Sequence, residues 1–457
     1  MKNLFYGLVL QLALIITSLA IPSIVQAEPH SHGGRTHNHP LPAQGYAHKH
    51  GNGAIGKRTG RAAPRPANHK ARPASNQRAP ARGGQRRVDP NSELQKAYKR
   101  RDYKRVFKIA SAFAKRGDPA GMYILGQLAL LGQGQGKNPR TAYTWFKKSA
   151  DKGHAGSQYL AATLLATGSG TGKNLKLAHK YYLLAAKKGV PDAFRSLGIM
   201  YENGQGVKKN IHQAIRYYEQ AANKGLPDVQ LMLGERYIKG IGVKRNPGKG
   251  FNYIRKASKA GERKADYLMG VAYANGIGTK KNPALAFKLI SKAAKRGNPD
   301  AAYDMASMYT QGVGTKKNMG AAVKWYKKAA QKGVVLAQHN LGLIYLQGLG
   351  VARNERFAFS WFNKAANKGL PISQYFLGDL YVDGVGVKKN HRAALKWYKK
   401  AAEKKFPAAQ YSVGAMYANG FGTKRNLKVA KQWFQKAARN GNKKAQNALL
   451  ILKKKGL

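Results

Sequence analysis

The chain has 457 residues, 82 Lys plus Arg against 19 Asp plus Glu, a formal net charge of +63, and no cysteine. The missing cysteines exclude disulfides, thiolate metal sites and thiol nucleophiles. The length exceeds one common domain, so a modular or repetitive chain is expected, and the charge predicts a life beside polyanions or in a basic cellular background.

Lys2 precedes an apolar run from Leu4 to Val25 broken by Gln11, and Val25-Gln26-Ala27 places small residues where signal peptidase reads them. Residues 1–27 therefore read as a cleavable signal peptide, with Glu28 as the mature N-terminus and a periplasmic or secreted location in a Gram-negative cell; the alternative is an uncleaved anchor. No later apolar run is long enough to span a bilayer.

Residues 28–90 are rich in Pro, Gly, Ala, Arg and His and poor in large aliphatic side chains, the composition of a disordered basic tail. Three His-x-His pairs stand here: His30 and His32, His37 and His39, His48 and His50. They are weak metal candidates, since clustered imidazoles bind transition metals. The alternative is a solvated linker with incidental histidines. No cofactor is expected elsewhere.

The rest is one unit repeated at a shift of 36. Gly126, Ala162, Gly198, Gly234, Gly270, Ala306, Gly342, Gly378 and Gly414 define position zero in nine copies. Each copy carries Gly-x-Gly at +6 and +8 and Asn at +12. Six copies place Pro at −7, where a helix's first turn tolerates a residue without an N–H. The unit therefore reads as helix A, a glycine turn, then helix B capped by the Asn. Positions −5, −1 and +3 of helix A share one core-facing side. On helix B the bulky pairs at +19/+20, such as Trp145-Phe146 and Trp361-Phe362, are expected in the core against small residues at +23/+24. A Gly at +27 ends helix B in eight copies, and Lys405 stands there in the eighth unit. Residues 91–116 read as N-terminal capping helices, 117–441 as nine units, and 442–457 as a C-terminal capping helix. The whole is an all-α, right-handed superhelical α/α solenoid.

The string from Ala337 to Gly369, with Leu341-Gly342, Gly348-x-Gly350, Asn354, Trp361 and Ala365-Ala366, resembles the Sel-one-like repeat (SLR), a relative of the tetratricopeptide repeat. This chain has Asn where the family usually has Asp. The resemblance implies a scaffold that binds other macromolecules, and by analogy alone a cell-wall or penicillin-interacting enzyme as a distant alternative.

No catalytic residues emerge. The solenoid histidines His154, His179, His212, His339 and His391 fall at unrelated offsets, and the Gly-x-Gly pairs follow helices rather than strands. Charge is more telling. Helix A carries nine acids and four bases, so the excess positive charge belongs to turns, helix B and caps. The pairs Lys208-Lys209, Lys244-Arg245, Lys280-Lys281, Lys316-Lys317, Lys388-Lys389 and Lys424-Arg425 form a ladder along one edge, suited to an anionic envelope polymer. If helix A lines a concave groove, as the resemblance implies, −6, −3, −2, +1 and +5 face a protein partner. Candidates are Tyr123, Tyr159, Tyr267, Tyr303, Tyr375 and Tyr411 at −3, with Glu235, Asp304 and Asp379. The tyrosines read equally well as packing between A helices. The functional expectation is a non-enzymatic envelope scaffold, the alternative a binder of lipopolysaccharide, acidic exopolysaccharide or nucleic acid.

Overall fold

The structure, a computed structural model, describes residues 90–454. The expected leader, the tail and its His-x-His pairs lie outside the described residues. Every regular element among the described residues is an α-helix: α1 (Pro90–Lys99) and α2 (Tyr103–Lys115), nine A/B pairs, and α21 (Lys443–Lys454). The pairs run from α3 (Pro119–Leu131) and α4 (Pro139–Asp151) in unit one to α19 (Pro407–Asn419) and α20 (Leu427–Arg439) in unit nine, with thirteen residues in every helix. Helix α2 keeps the register of a B helix and α21 that of an A helix, so each terminus closes the stack with the half-unit it lacks.

The turn chemistry explains this regularity. In every unit the Asn at +12 donates its N–H to the carbonyl at +3 of helix A, at 2.8 to 2.9 Å, as Asn354 does to Tyr345. Its Oδ1 accepts the N–H of +15 at 2.9 to 3.0 Å. One residue thus closes the loop through its backbone N–H and caps helix B through its side chain. The glycine at +8 has a further role. A Cβ on Gly314 would lie 2.0 Å from the carbonyl oxygen of Pro283, the first residue of the preceding unit's helix B. Each turn is therefore seated on its neighbour, and the turns form one continuous edge.

The core follows the pattern read from sequence. Position −5 is buried in all nine units, from Gly121 to Ala409. Position zero is small because the +20 side chain of helix B lies across it: a Cβ on Gly198 or Gly378 would meet the ring of Tyr218 or Tyr398 at 2.4 Å. The +20 residues Phe146, Tyr218, Ile254, Ile290, Tyr326 and Phe362 are among the largest fully buried side chains. Position +19 corrects the expectation. Trp145, Trp325, Trp361, Trp397 and Trp433 are only half-buried, because +19 points along the outer layer while +20 points at helix A. A Lys three residues on covers each indole, at 4.2 Å for Lys328 on Trp325, 4.0 Å for Lys364 on Trp361, 4.1 Å for Lys400 on Trp397 and 4.4 Å for Lys436 on Trp433.

Two links between units were not evident in the sequence. Gln at −4 donates from Nε2 to the +24 carbonyl of the preceding unit: Gln158 to Ala150, Gln230 to Ala222, Gln338 to Ala330, Gln374 to Ala366 and Gln410 to Ala402. At +26, Lys188, Lys368 and Lys404 each donate to the +27 glycine carbonyl one unit back. These bonds lie at the edge opposite the turns and satisfy carbonyls that helix B leaves open at its C-terminus.

Candidate functional site

The A helices form one layer, the inner layer of the groove expected from the resemblance, and their side chains reach the next A helix along. Arg195 Nη1 donates to Asp228 at 2.8 Å, Arg236 Nη2 to Glu202 at 2.5 Å, and the Tyr267 hydroxyl to Asp304 Oδ2 at 2.9 Å. His339 Nδ1 lies 2.9 Å from the Ser373 hydroxyl. The helix A acids are therefore tied up in several units rather than offered to a ligand. Asp266 is buried and held by Lys292 and Arg296 of its own unit at 3.0 and 2.8 Å.

The layer is not equally open along its length. In unit six Tyr303, Asp304 and Ser307 are all buried, and in unit seven so are His339, Asn340 and Leu343. Asp304 has no exposed surface. Its expected role as a groove-facing contact is corrected: closely packed neighbouring helices cover −2 and +1 here. In units one to four the same offsets remain accessible, with Ile124, Gln127, Leu160, Thr163, Ser196, Met232 and Glu235 half-buried and Ile199 40% exposed.

The −3 tyrosines pack as structural rings. Tyr123 lies against Phe146, Tyr159 against Tyr182, Tyr303 against Tyr326, Tyr375 against Tyr398 and Tyr411 against Phe434, with centroids 5.5 to 5.9 Å apart. Tyr267 instead spends its hydroxyl on Asp304. All but Tyr303 keep a half-buried outer edge.

Burial shifts the titration of this layer. The desolvated Asp304 carboxyl, with Asp300 nearby, is pushed up to about 7. Asp379 is also pushed up to about 7, by burial against the helpful O–H of Tyr398. Burial brings His339 down to about 4, between the rings of Phe362 and Phe376. Asp304 Oδ1 and His339 Nε2 are buried without a hydrogen-bond partner. These groups sit in separate units. Among the described residues no group of three or more His, Asp or Glu is placed to hold a metal.

The turn edge presents the opposite chemistry. All twelve residues of the six basic pairs, from Lys208-Lys209 to Lys424-Arg425, are exposed. Position +11 is Lys or Arg in every unit, adding Lys137, Lys173 and Arg353 to the row. The turn of unit four and the outer helix of unit three frame a shallow hollow lined by Arg216, Lys244, Arg245 and Lys249, with His212 and Tyr237. Lys249 is already held by Glu219 and Tyr237 at 2.7 Å. Among the described residues no helix is long and apolar enough to cross a membrane.

Comparison with known proteins agrees with this geometry. The Sel1 repeat model matches nine consecutive segments, 119–154, 155–190, 192–226, 227–262, 263–298, 299–334, 335–370, 371–406 and 407–442. Among solved structures, a protective antigen of uropathogenic Escherichia coli displaying an SLR fold is 27% identical, covering 81% of this chain and 88% of that one, with a TM-score of 0.58. A Sel1 repeat protein from Oxalobacter formigenes is 31% identical, covering 68% of this chain and 90% of that one, also with a TM-score of 0.58. No functionally curated protein matches the chain. Sel1 repeat proteins generally mediate protein–protein interactions. With nine matched units and an unbroken α/α solenoid, the chain belongs to the Sel1 repeat family.

Proposed function

We propose that the protein is an exported, non-enzymatic scaffold of the bacterial cell envelope that holds a protein partner on the inner layer of units one to four. The observation that carries this reading is the contrast along the inner layer. The −2 and +1 side chains are accessible in units one to four and sealed in units six and seven. Within the open stretch they differ from unit to unit, as in Ile124, Leu160, Ser196 and Met232, while the core offsets repeat. A surface that varies on a fixed frame is suited to reading one partner. Ile199, apolar and 40% exposed, lies within it.

Affinity capture from an envelope extract tests this, using the wild type beside an Ile124→Glu/Ile199→Glu variant. One reproducible protein held by the wild type and lost by the variant is expected. Equal capture by both, or no reproducible protein, overturns the reading. Cell fractionation tests the exported location.

A second reading, contact with an anionic envelope component through the turn edge, is favoured by the unbroken row of exposed Lys and Arg. Such binding weakens steeply with salt. Binding insensitive to salt would remove it.

A further inference from the structure

The turn edge carries a second pattern superposed on its charge. The +7 residue, at the tip of the turn between two glycines, is polar in the first three units: Gln133, Ser169 and Gln205. From unit four onward it is apolar without exception: Ile241, Ile277, Val313, Leu349, Val385 and Phe421. Ile241 is 52% and Phe421 51% exposed, whereas Leu349 is half-buried and Ile277, Val313 and Val385 are half-buried against the core. The first turn of helix B, at the same edge, adds Leu285 at 37% and Phe357 at 54%. Phe421 stacks on His391 and Phe357 leans on Tyr345, so each ring is held on one side and open to water on the other.

The apolar tips coincide with paired cations in five units, while unit three sets the pair Lys208-Lys209 beside the polar tip Gln205. Units one and two have Gly136 and Gly172 at +10, whereas five of the last six units have Lys there, followed by Lys or Arg. In the exception, unit seven, Ala352-Arg353 stands beside the most exposed of the four apolar residues named, Phe357. A soluble polyanion would reward the cations and gain nothing from apolar side chains kept in water. An anionic bilayer rewards both, with cations meeting headgroups and short apolar tips entering the interface. A row of six seated turns is also long and continuous, on the order of 50 Å at one helix diameter per unit.

We propose that the turn edge of units four to nine docks the protein on the surface of an anionic lipid bilayer. This rests on the reading that the edge meets an anionic component, and it names that component. Docking there leaves the inner layer of units one to four free for a protein partner.

Vesicle sedimentation tests the proposal with the full chain, so that residues 1–89 are common to every arm and the comparison is between variants. The probes are phosphatidylethanolamine vesicles with phosphatidylglycerol, phosphatidylcholine vesicles, and soluble dextran sulfate. The Ile241→Ser/Leu285→Ser/Phe357→Ser/Phe421→Ser variant keeps every charge. It is expected to lose about tenfold or more in partition onto the phosphatidylglycerol vesicles while binding dextran sulfate as the wild type does. Circular dichroism and the unfolding midpoint verify its fold. If it unfolds, the Ile241→Ser/Phe421→Ser pair must still lose about threefold. Partition equal to wild type in a folded variant overturns the proposal. So does wild-type binding to dextran sulfate without a preference for phosphatidylglycerol over phosphatidylcholine vesicles, which leaves the edge a plain polyanion binder. Binding to neither anionic probe removes the edge reading itself.

Discussion

Asp304→Asn isolates one of the two inner-layer carboxyls that burial pushes up to about 7. Asp304 is wholly buried in unit six, its Oδ2 accepts the Tyr267 hydroxyl at 2.9 Å, and its Oδ1 has no partner. Its carboxyl rises from an ordinary 3.8 to about 7. A folded-state value raised above the unfolded one means that the folded chain holds the extra proton between about pH 4 and 7. Stability is then lost as pH rises through that window and is fully present only below it. At about 1.4 kcal/mol per pH unit, the ceiling is roughly 4 kcal/mol by pH 8; local relaxation makes about 2 kcal/mol the working figure. Asn keeps the shape and the acceptor for Tyr267 and removes the charge. The variant should be more stable than wild type at pH 8, and the gain should shrink by about 1 to 3 kcal/mol on moving to pH 4. His339, brought down to about 4 by burial, runs the other way, losing stability as pH falls below about 6.5. The difference between wild type and variant cancels that background. Because a solenoid need not unfold in one step, amide hydrogen exchange in unit six should accompany urea melts at both pH values. A pH-independent difference would refute the reasoning, since it would mean Asp304 ionises as an exposed carboxyl does.

The remaining predictions concern the repeat itself. Lys405 holds φ at +61° where eight units have Gly, so Lys405→Gly should stabilise by about 1 kcal/mol in urea melts, the left-handed cost for a residue with a Cβ; no gain would show that the backbone there relaxes. Gly314→Ala combines a φ of +69° with a Cβ 2.0 Å from the Pro283 carbonyl oxygen, and should cost roughly 2 to 4 kcal/mol. A loss under about 1 kcal/mol would mean that the turn is not seated on its neighbour. Lys364→Ala uncovers the half-buried Trp361 ring and should shift indole emission to the red with a loss of about 0.5 to 1 kcal/mol. An unchanged spectrum and melting point would show that the 4.0 Å contact contributes nothing.

What could be read from the sequence was whatever the chain states nine times. The Asn at +12, the glycines of the turn and the small residue at zero each solve a local problem that recurs identically, so their pattern revealed the helix pair, its caps and its core face. The failure at +19 has the same root. Trp361 and Phe362 are chemically alike and adjacent, and only the rotation of helix B decides that Phe362 enters the core and Trp361 lies outside under Lys364. The Gln374 to Ala366 bond was hidden for another reason: it joins residues of different units whose approach depends on how one unit stacks on the next.

The inner layer shows where repetition stops being informative. Asp304 in unit six and Ser412 in unit nine share the −2 offset, yet one is sealed and the other half-buried. Offset fixes which way a side chain points, while neighbouring side chains decide how much water reaches it. The difference arises from pairs such as Tyr267–Asp304 and His339–Ser373, which close the layer locally and are present once each. Units six and seven are closed on the inside, while units four to nine carry apolar tips beside their cations on the turn edge. Departures confined to one face of a rigid repeat cost the stack little, because the core offsets that carry its stability are untouched. Two separate surfaces can therefore diverge on one frame: an open inner stretch in units one to four and a basic, apolar-tipped edge that begins at unit four.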